Sequence, residues 1–235
     1  MEELIAANQL FCVLLFGEVS YIRKWSIHMK KKVILKSSIL AVVAGLSVFT
    51  INSVFADELP VQFMGVNDFH GALEQTGTAR LEGETVKNAG TAPLLATYLN
   101  DSQKDFETEN AGTPNASIRV QAGDMVGASP ANSALLQDEP TVKVFNEMNF
   151  EYGTLGNHEF DEGLAEYNRI MKGEAPTPGQ FNKIVDDYHH EASKQEVVIA
   201  NLVDKDTNKI PFDWKPYAIK EIPVNDKTVK VGFIG

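Results

Sequence analysis

The chain has 235 residues, 43% of them hydrophobic and 23% charged, which is enough apolar material for one large domain with a buried core. Its 32 Asp and Glu outnumber 21 Lys and Arg, and residues 57–235 are more acidic still, with 15 basic against 29 acidic side chains. A surface this acidic lacks the basic footprint that polymeric nucleic acid requires, and a single cysteine, Cys12, leaves no disulfide framework and no cysteine-built zinc or thiolate site.

In chain order, residues 1–28 are acidic at the front, and their only apolar run is short, Leu10 to Phe16. From Met29 the sequence reads MKKKVILKSSILAVVAGLSVFTINSVFADE. Lys30, Lys31, Lys32 and Lys36 form a positive n-region, Ile39 to Ile51 an apolar h-region, and Val54-Phe55-Ala56 a cleavage signature. The apolar run of roughly 13 to 15 residues falls short of the about 20 that a bilayer span needs. The pattern predicts a non-native leader over 1–28, a signal peptide over 29–56 and an exported domain over 57–235. Membrane contact is then expected only during export. The product is expected to be secreted or at the cell surface, as a monomer. An exported part without cysteine is compatible with a Gram-positive cell wall.

Within the exported part, VQFMGV (Val61 to Val66) is an apolar run typical of a buried strand. Thr91 to Phe106 places Leu94, Leu95, Tyr98 and Leu99 three to four apart behind Pro93, which suits a first helical turn. Strands are predicted at Ala116 to Gly123, Phe150 to Gly156 and, most clearly, Glu196 to Val203. Helices are predicted over Glu139 to Asn149 and Phe181 to Gln195, the second carrying His189 and His190 on an exposed face, with a Pro/Gly loop over Gly173 to Gln180. The tail reads as two strands turning at Asn225-Asp226. Strands alternating with helices predict an α/β layered domain.

Each of the first three strands runs into a polar cluster: NDFHG with Asp68 and His70, AGDMVGAS with Asp124, and GNHEFD with Asn157, His158 and Asp161. Residues i and i+2 on extended backbone point the same way, so Asp68 and His70 are expected to face one ligand. Sites in α/β folds form at the carboxyl ends of strands. Carboxylate, imidazole and amide donors suit divalent ions such as Mn, Zn or Fe. One Asp can bridge two of them, and such a pair suits phosphoryl transfer while supplying the positive field that an acidic surface lacks.

As a set, NDFHG, AGDMVGASP and GNHEFDEG resemble the first three motif blocks of the calcineurin-like metallophosphoesterases, and specifically of the secreted bacterial 5'-nucleotidases. The likeness runs over about residues 59–235. It implies a layered αββα sandwich, incomplete at the C-terminus, since the family pattern continues into further histidine motifs and a nucleobase-stacking domain. It implies two divalent metal ions, with Asp68 and His70 on one, Asp124 bridging both and Asn157 on the second. By the same resemblance His158 contacts the scissile phosphate, oriented by Asp161, and the substrate is a nucleoside 5'-phosphate. Two alternatives stand beside it: a 2',3'-cyclic-nucleotide phosphodiesterase/3'-nucleotidase, or a truncated product that is catalytically inert alone. Truncation would leave the final strand, Val229 to Ile234, with an open edge and an open apolar face.

Overall fold

The computed structural model describes residues 12–16, 59–81 and 83–235. The predicted signal peptide and all of the predicted leader except 12–16 lie outside the described residues.

Among the described residues, nine strands and five α-helices follow in the order β1 (Cys12–Phe16), β2 (Val61–Val66), β3 (Gly77–Leu81), β4 (Glu84–Ala89), α1 (Ala92–Glu109), β5 (Ala116–Ala122), α2 (Ala131–Ala134), α3 (Glu139–Glu147), β6 (Tyr152–Thr154), α4 (Leu164–Lys172), α5 (Lys183–Asp186), β7 (Glu196–Val197), β8 (Tyr217–Val224) and β9 (Lys227–Ile234). Three of them, β2, β5 and β6, with β7, form a parallel sheet in chain order, so their carboxyl ends lie along one edge. The register pairs Val66 with Gln121 and Ala122 with Thr154, which brings the three polar clusters together immediately beyond the last paired residues.

Both faces of this sheet are covered, as parallel sheets require. On one face Met64 and Leu155 pack with Leu99 of α1, Val142 and Phe145 of α3, and Tyr167, Ile170 and Met171 of α4. On the other, Ile118, Val120 and Tyr152 pack against Ala218, Ile222, Val224, Val231 and Phe233 of an antiparallel sheet ordered β1-β9-β8. Thus helices, parallel sheet and antiparallel sheet give three of the four layers expected of an αββα sandwich among the described residues. Alternation along β5 serves both interfaces. Ile118 and Val120 face the second sheet, while Arg119 donates to the Met148 carbonyl at the end of α3 at 2.7 Å and to Asn100 and Gln103 of α1, both at 2.9 Å.

The first long helix begins where the sequence indicates: Thr91 is its N-cap, its Oγ1 accepting from Leu94 N, and Pro93 occupies the first turn. The terminal hairpin turns at Asn225, whose φ is +54°.

Four expectations need correction. The segment Phe181 to Gln195 holds only one helical turn, α5, because its later backbone is tied to its neighbours: Ser193 N donates to Met171 O, Lys194 N to Asn146 Oδ1, and Asn146 Nδ2 to Ala192 O. With that, His190 turns inward, its Nδ1 2.6 Å from buried Glu139, and only His189 is exposed. The strand expected over Glu196 to Val203 shortens to Glu196–Val197, continued by a bridge from Val198 to Lys215. The final strand is not open. In β9, Val231 and Phe233 are fully buried, and the strand is flanked by β8 and by β1, which pairs from Cys12↔Ile234 to Phe16↔Lys230. Finally, α4 and the β3–β4 hairpin were not anticipated, although Leu164, Tyr167, Ile170 and Met171 carry the helical spacing that marks α4.

Candidate metal centre

Beyond β2 the chain does not stay extended. Asp68 and His70 take φ of +53° and +47°, and Asp124, beyond β5, takes +52°. Left-handed backbone is uncommon outside glycine, and Asp, Asn and His tolerate it best. At three residues of one cluster the backbone is held against local preference. The two segments remain paired through these kinks: Asp68 N donates to Gly123 O at 3.1 Å, His70 N to Asp124 O at 3.0 Å, and Gly71 N to Met125 O at 3.2 Å. Asp68 and His70 therefore share a face because the backbone bends twice, not because it alternates along a strand, which corrects the sequence argument while keeping its outcome.

The result is a compact donor set. One ligand atom each from Asp68, His70 and Asp124 lie within 4.8 Å of one another. Asp124 is 3% exposed, Asp68 faces solvent and His70 is intermediate, so the group opens to one side. His70 Nδ1 lies 2.9 Å from the Gly127 carbonyl. A carbonyl only accepts, so the Nδ1 proton is held there and Nε2 keeps its lone pair, which could serve an ion. Asn67 Nδ2 donates to Asp68 Oδ2, orienting that carboxylate.

The third cluster folds onto this group. Asn157 precedes a 3-10 turn, His158–Phe160, and the His158 N–H donates to Asp124 Oδ1 at 2.9 Å. The His158 and His70 rings meet edge to face with centroids 4.8 Å apart. His158 Nδ1 lies 2.7 Å from Asp161 Oδ2 across the turn. That hydrogen bond raises the His158 pKa above the ordinary imidazole value; partial burial opposes it, and the charges of Asp161, Asp124 and Glu159 add to it. Gly127 permits the approach. Its φ is +79°, and a Cβ there would lie 2.6 Å from His158 O and 2.8 Å from Asp161 Oδ2.

No family model matches the sequence. Over 181 residues the chain is 52% identical to the cell wall protein Lmo0130 of Listeria monocytogenes, covering 77% of this chain and 22% of that one. It is 37% identical over 181 residues to the endonuclease YhcR of Bacillus subtilis, covering 76% and 13%. It is 34% identical over 131 residues to the 2',3'-cyclic-nucleotide 2'-phosphodiesterase/3'-nucleotidase of Salmonella typhimurium, covering 51% and 17%. To the NAD 5'-nucleotidase of Haemophilus influenzae it is 27% identical over 162 residues, covering 68% and 22%. The chain is thus similar to one part of proteins named as 2',3'-cyclic-nucleotide phosphodiesterase/3'-nucleotidase and NAD 5'-nucleotidase. It spans less than a quarter of the length of each of these relatives.

Of the residues singled out in the sequence, Asp68, His70 and Asp124 are brought together, and His158 and Asp161 form a pair beside them. Asn157 is exposed and is linked to this group by adjoining His158 in the chain. One further residue of the motif was not singled out from the sequence. Glu159 is 2% exposed and accepts backbone N–H groups from Asp124 at 3.0 Å, Met125 at 2.8 Å and Gly156 at 2.6 Å. Burial pushes its carboxyl above the usual range, against the pull of those three donors. Its place in the turn, between His158 and an exposed Phe160, gives no local signal of burial.

Proposed function

We propose that this chain carries the phosphate-cleaving site of a secreted or cell-surface nucleotidase that releases phosphate from nucleoside 5'-phosphates. The observation behind the proposal is the convergence of Asp68, His70 and Asp124 ligand atoms within 4.8 Å at the carboxyl edge of the parallel sheet. Two carboxylates and an imidazole whose second nitrogen is already anchored are a donor set that fits Mn, Zn or a similar ion. Asp68 and His70 would hold one ion, Asp124 would be shared, and Asn157 would serve a second. Divalent ions there would neutralise the phosphate and activate the attacking water.

The chain's own groups then have distinct tasks. Asp161 holds a proton on His158 Nδ1 and favours the charged ring. His158 is placed to meet the negative charge that builds up on the phosphate or on the departing oxygen. The backbone N–H of His158 donates to the Asp124 carboxylate and so fixes the His158 turn beside it. Surface location is supported by the relative named a cell wall protein. A second reading, cleavage of 2',3'-cyclic nucleotides and 3'-phosphates, has support from the Salmonella relative of that name.

The test uses the full-length gene product, assayed for phosphate release from AMP and 3'-AMP and for cleavage of 2',3'-cyclic AMP and single-stranded DNA, with and without Mn²⁺. Mn²⁺-dependent release from AMP is expected. His158→Ala should lower kcat by about 10²- to 10⁴-fold, the usual worth of a positioned acid–base or electrostatic group, with metal content unchanged. Preference for the cyclic substrate would favour the second reading. Cleavage of DNA alone, the activity that YhcR's name describes, would overturn both.

A further inference from the structure

Two buried side chains that are not among the candidate ligands span the turns that present Asp124 and Asn157. Gln121, 1% exposed at the end of β5, accepts from Gly123 N at 2.7 Å and donates to the Thr154 carbonyl at 2.8 Å. It therefore joins the turn after β5 to the last residue of β6. Glu159 joins the same two turns from the other side, through Asp124 N, Met125 N and Gly156 N. Between these links the turns touch directly: a Cβ on Gly123 would lie 2.6 Å from Gly156 N. Gly153 leaves the room that the Gln121 amide occupies, since a Cβ there would lie 2.4 Å from its Nε2.

We propose that Gln121 and Glu159 are positioning residues that set the spacing between Asp124 and Asn157, and through it the affinity of the site for a divalent ion. The proposal rests on the reading above that Asp124 and Asn157 hold metal. Asp124 sits in left-handed backbone, so its turn relaxes unless its own N–H and those of its neighbours are held. Every group facing Glu159 in these contacts is an N–H, which only a carboxylate accepts on both oxygens. Glu159→Gln keeps the shape but sets an amide NH₂ against backbone donors. Gln121→Leu keeps the volume and removes both links.

Both variants are made in the full-length protein and titrated with Mn²⁺ by calorimetry at 10 °C, with far-UV circular dichroism confirming the native spectrum. Outer partners of metal ligands typically carry about 10- to 100-fold in metal affinity or activity. Each variant is expected to bind Mn²⁺ about 10- to 100-fold more weakly and to lose kcat at saturating Mn²⁺ while KM for AMP stays within about threefold. A lowered unfolding temperature with wild-type Mn²⁺ affinity would assign the two residues to folding alone and overturn the proposal. Should Glu159→Gln fail to fold, Gln121→Leu decides by the same criteria. A wild-type protein that binds no Mn²⁺ would refute the metal reading itself; wild-type binding with unaltered variants would refute only the positioning role.

Discussion

Arg169 offers the sharpest test of how this fold is held. Its Nη2 lies 2.9 Å from Glu139 Oε1 and 2.7 Å from Glu166 Oε1, and its Nε lies 2.9 Å from Glu166 Oε2. The three side chains are 9%, 3% and 9% exposed. Glu139 also receives His190, so α3, α4 and the segment before β7 meet at one buried group. Arg169→Met preserves the stem and deletes the cation that both buried carboxylates share, leaving Glu139 with His190. Removing one partner of a buried pair costs about 3–5 kcal/mol, a large share of a total of about 5–15. The Lys183–Asp187 pair is just as close, at 2.7 Å, but lies in solvent, and its loss should leave the unfolding midpoint unchanged. Urea unfolding followed by tryptophan fluorescence reads the region directly, because Trp214 packs on Tyr167 of α4 with ring centroids 5.9 Å apart. At about 2–4 °C per kcal/mol the thermal midpoint should fall by about 6–20 °C. A loss under about 1 kcal/mol for Arg169→Met, or an equal loss for Lys183→Met, would show that burial of this cluster does not decide its worth.

Other outcomes follow from particular contacts. Gly127→Ala should displace the His158 turn, costing about 1–3 kcal/mol in strain and at least about tenfold in kcat, since the new Cβ meets His158 O at 2.6 Å. Unchanged kcat would mean the turn accommodates it. Asp161→Asn should lower the His158 pKa, because the bond that raises it is removed; an unaltered imidazole titration by NMR in metal-free protein would contradict this. Phe233, fully buried and stacked on Tyr152 with centroids 4.1 Å apart, should cost about 3–5 kcal/mol when changed to Ala. A near-neutral effect in denaturant unfolding would show that β9 is not part of the core.

Much of the site was legible in the sequence because its parts are local. Each cluster is a short string beyond a strand with its own apolar signature. The His158–Asp161 pair needs only one turn of backbone, and the helix at Thr91 announces itself by its cap and its proline. The layered α/β order follows from the same periodicity. What pattern could not supply was anything fixed by partners distant in the chain. Glu159 looks like one more polar loop residue until β5 and β6 align and turn three backbone N–H groups toward it. Gln121 lies in a strand whose alternation says only that it faces away from Ile118 and Val120. The period of His189 and His190 suits an exposed helix, but the backbone bonds from Ser193, Lys194 and Asn146 hold the segment in another form and deliver His190 to Glu139. Asp68 and His70 were expected to share a face on extended backbone. Instead, pairing with Gly123, Asp124 and Met125 imposes two left-handed kinks that reach the same face by another path. Short-range rules read conformations that a segment prefers by itself, whereas a buried carboxylate, a strained φ or an inward histidine exists only because the surrounding packing and hydrogen bonds outweigh that preference.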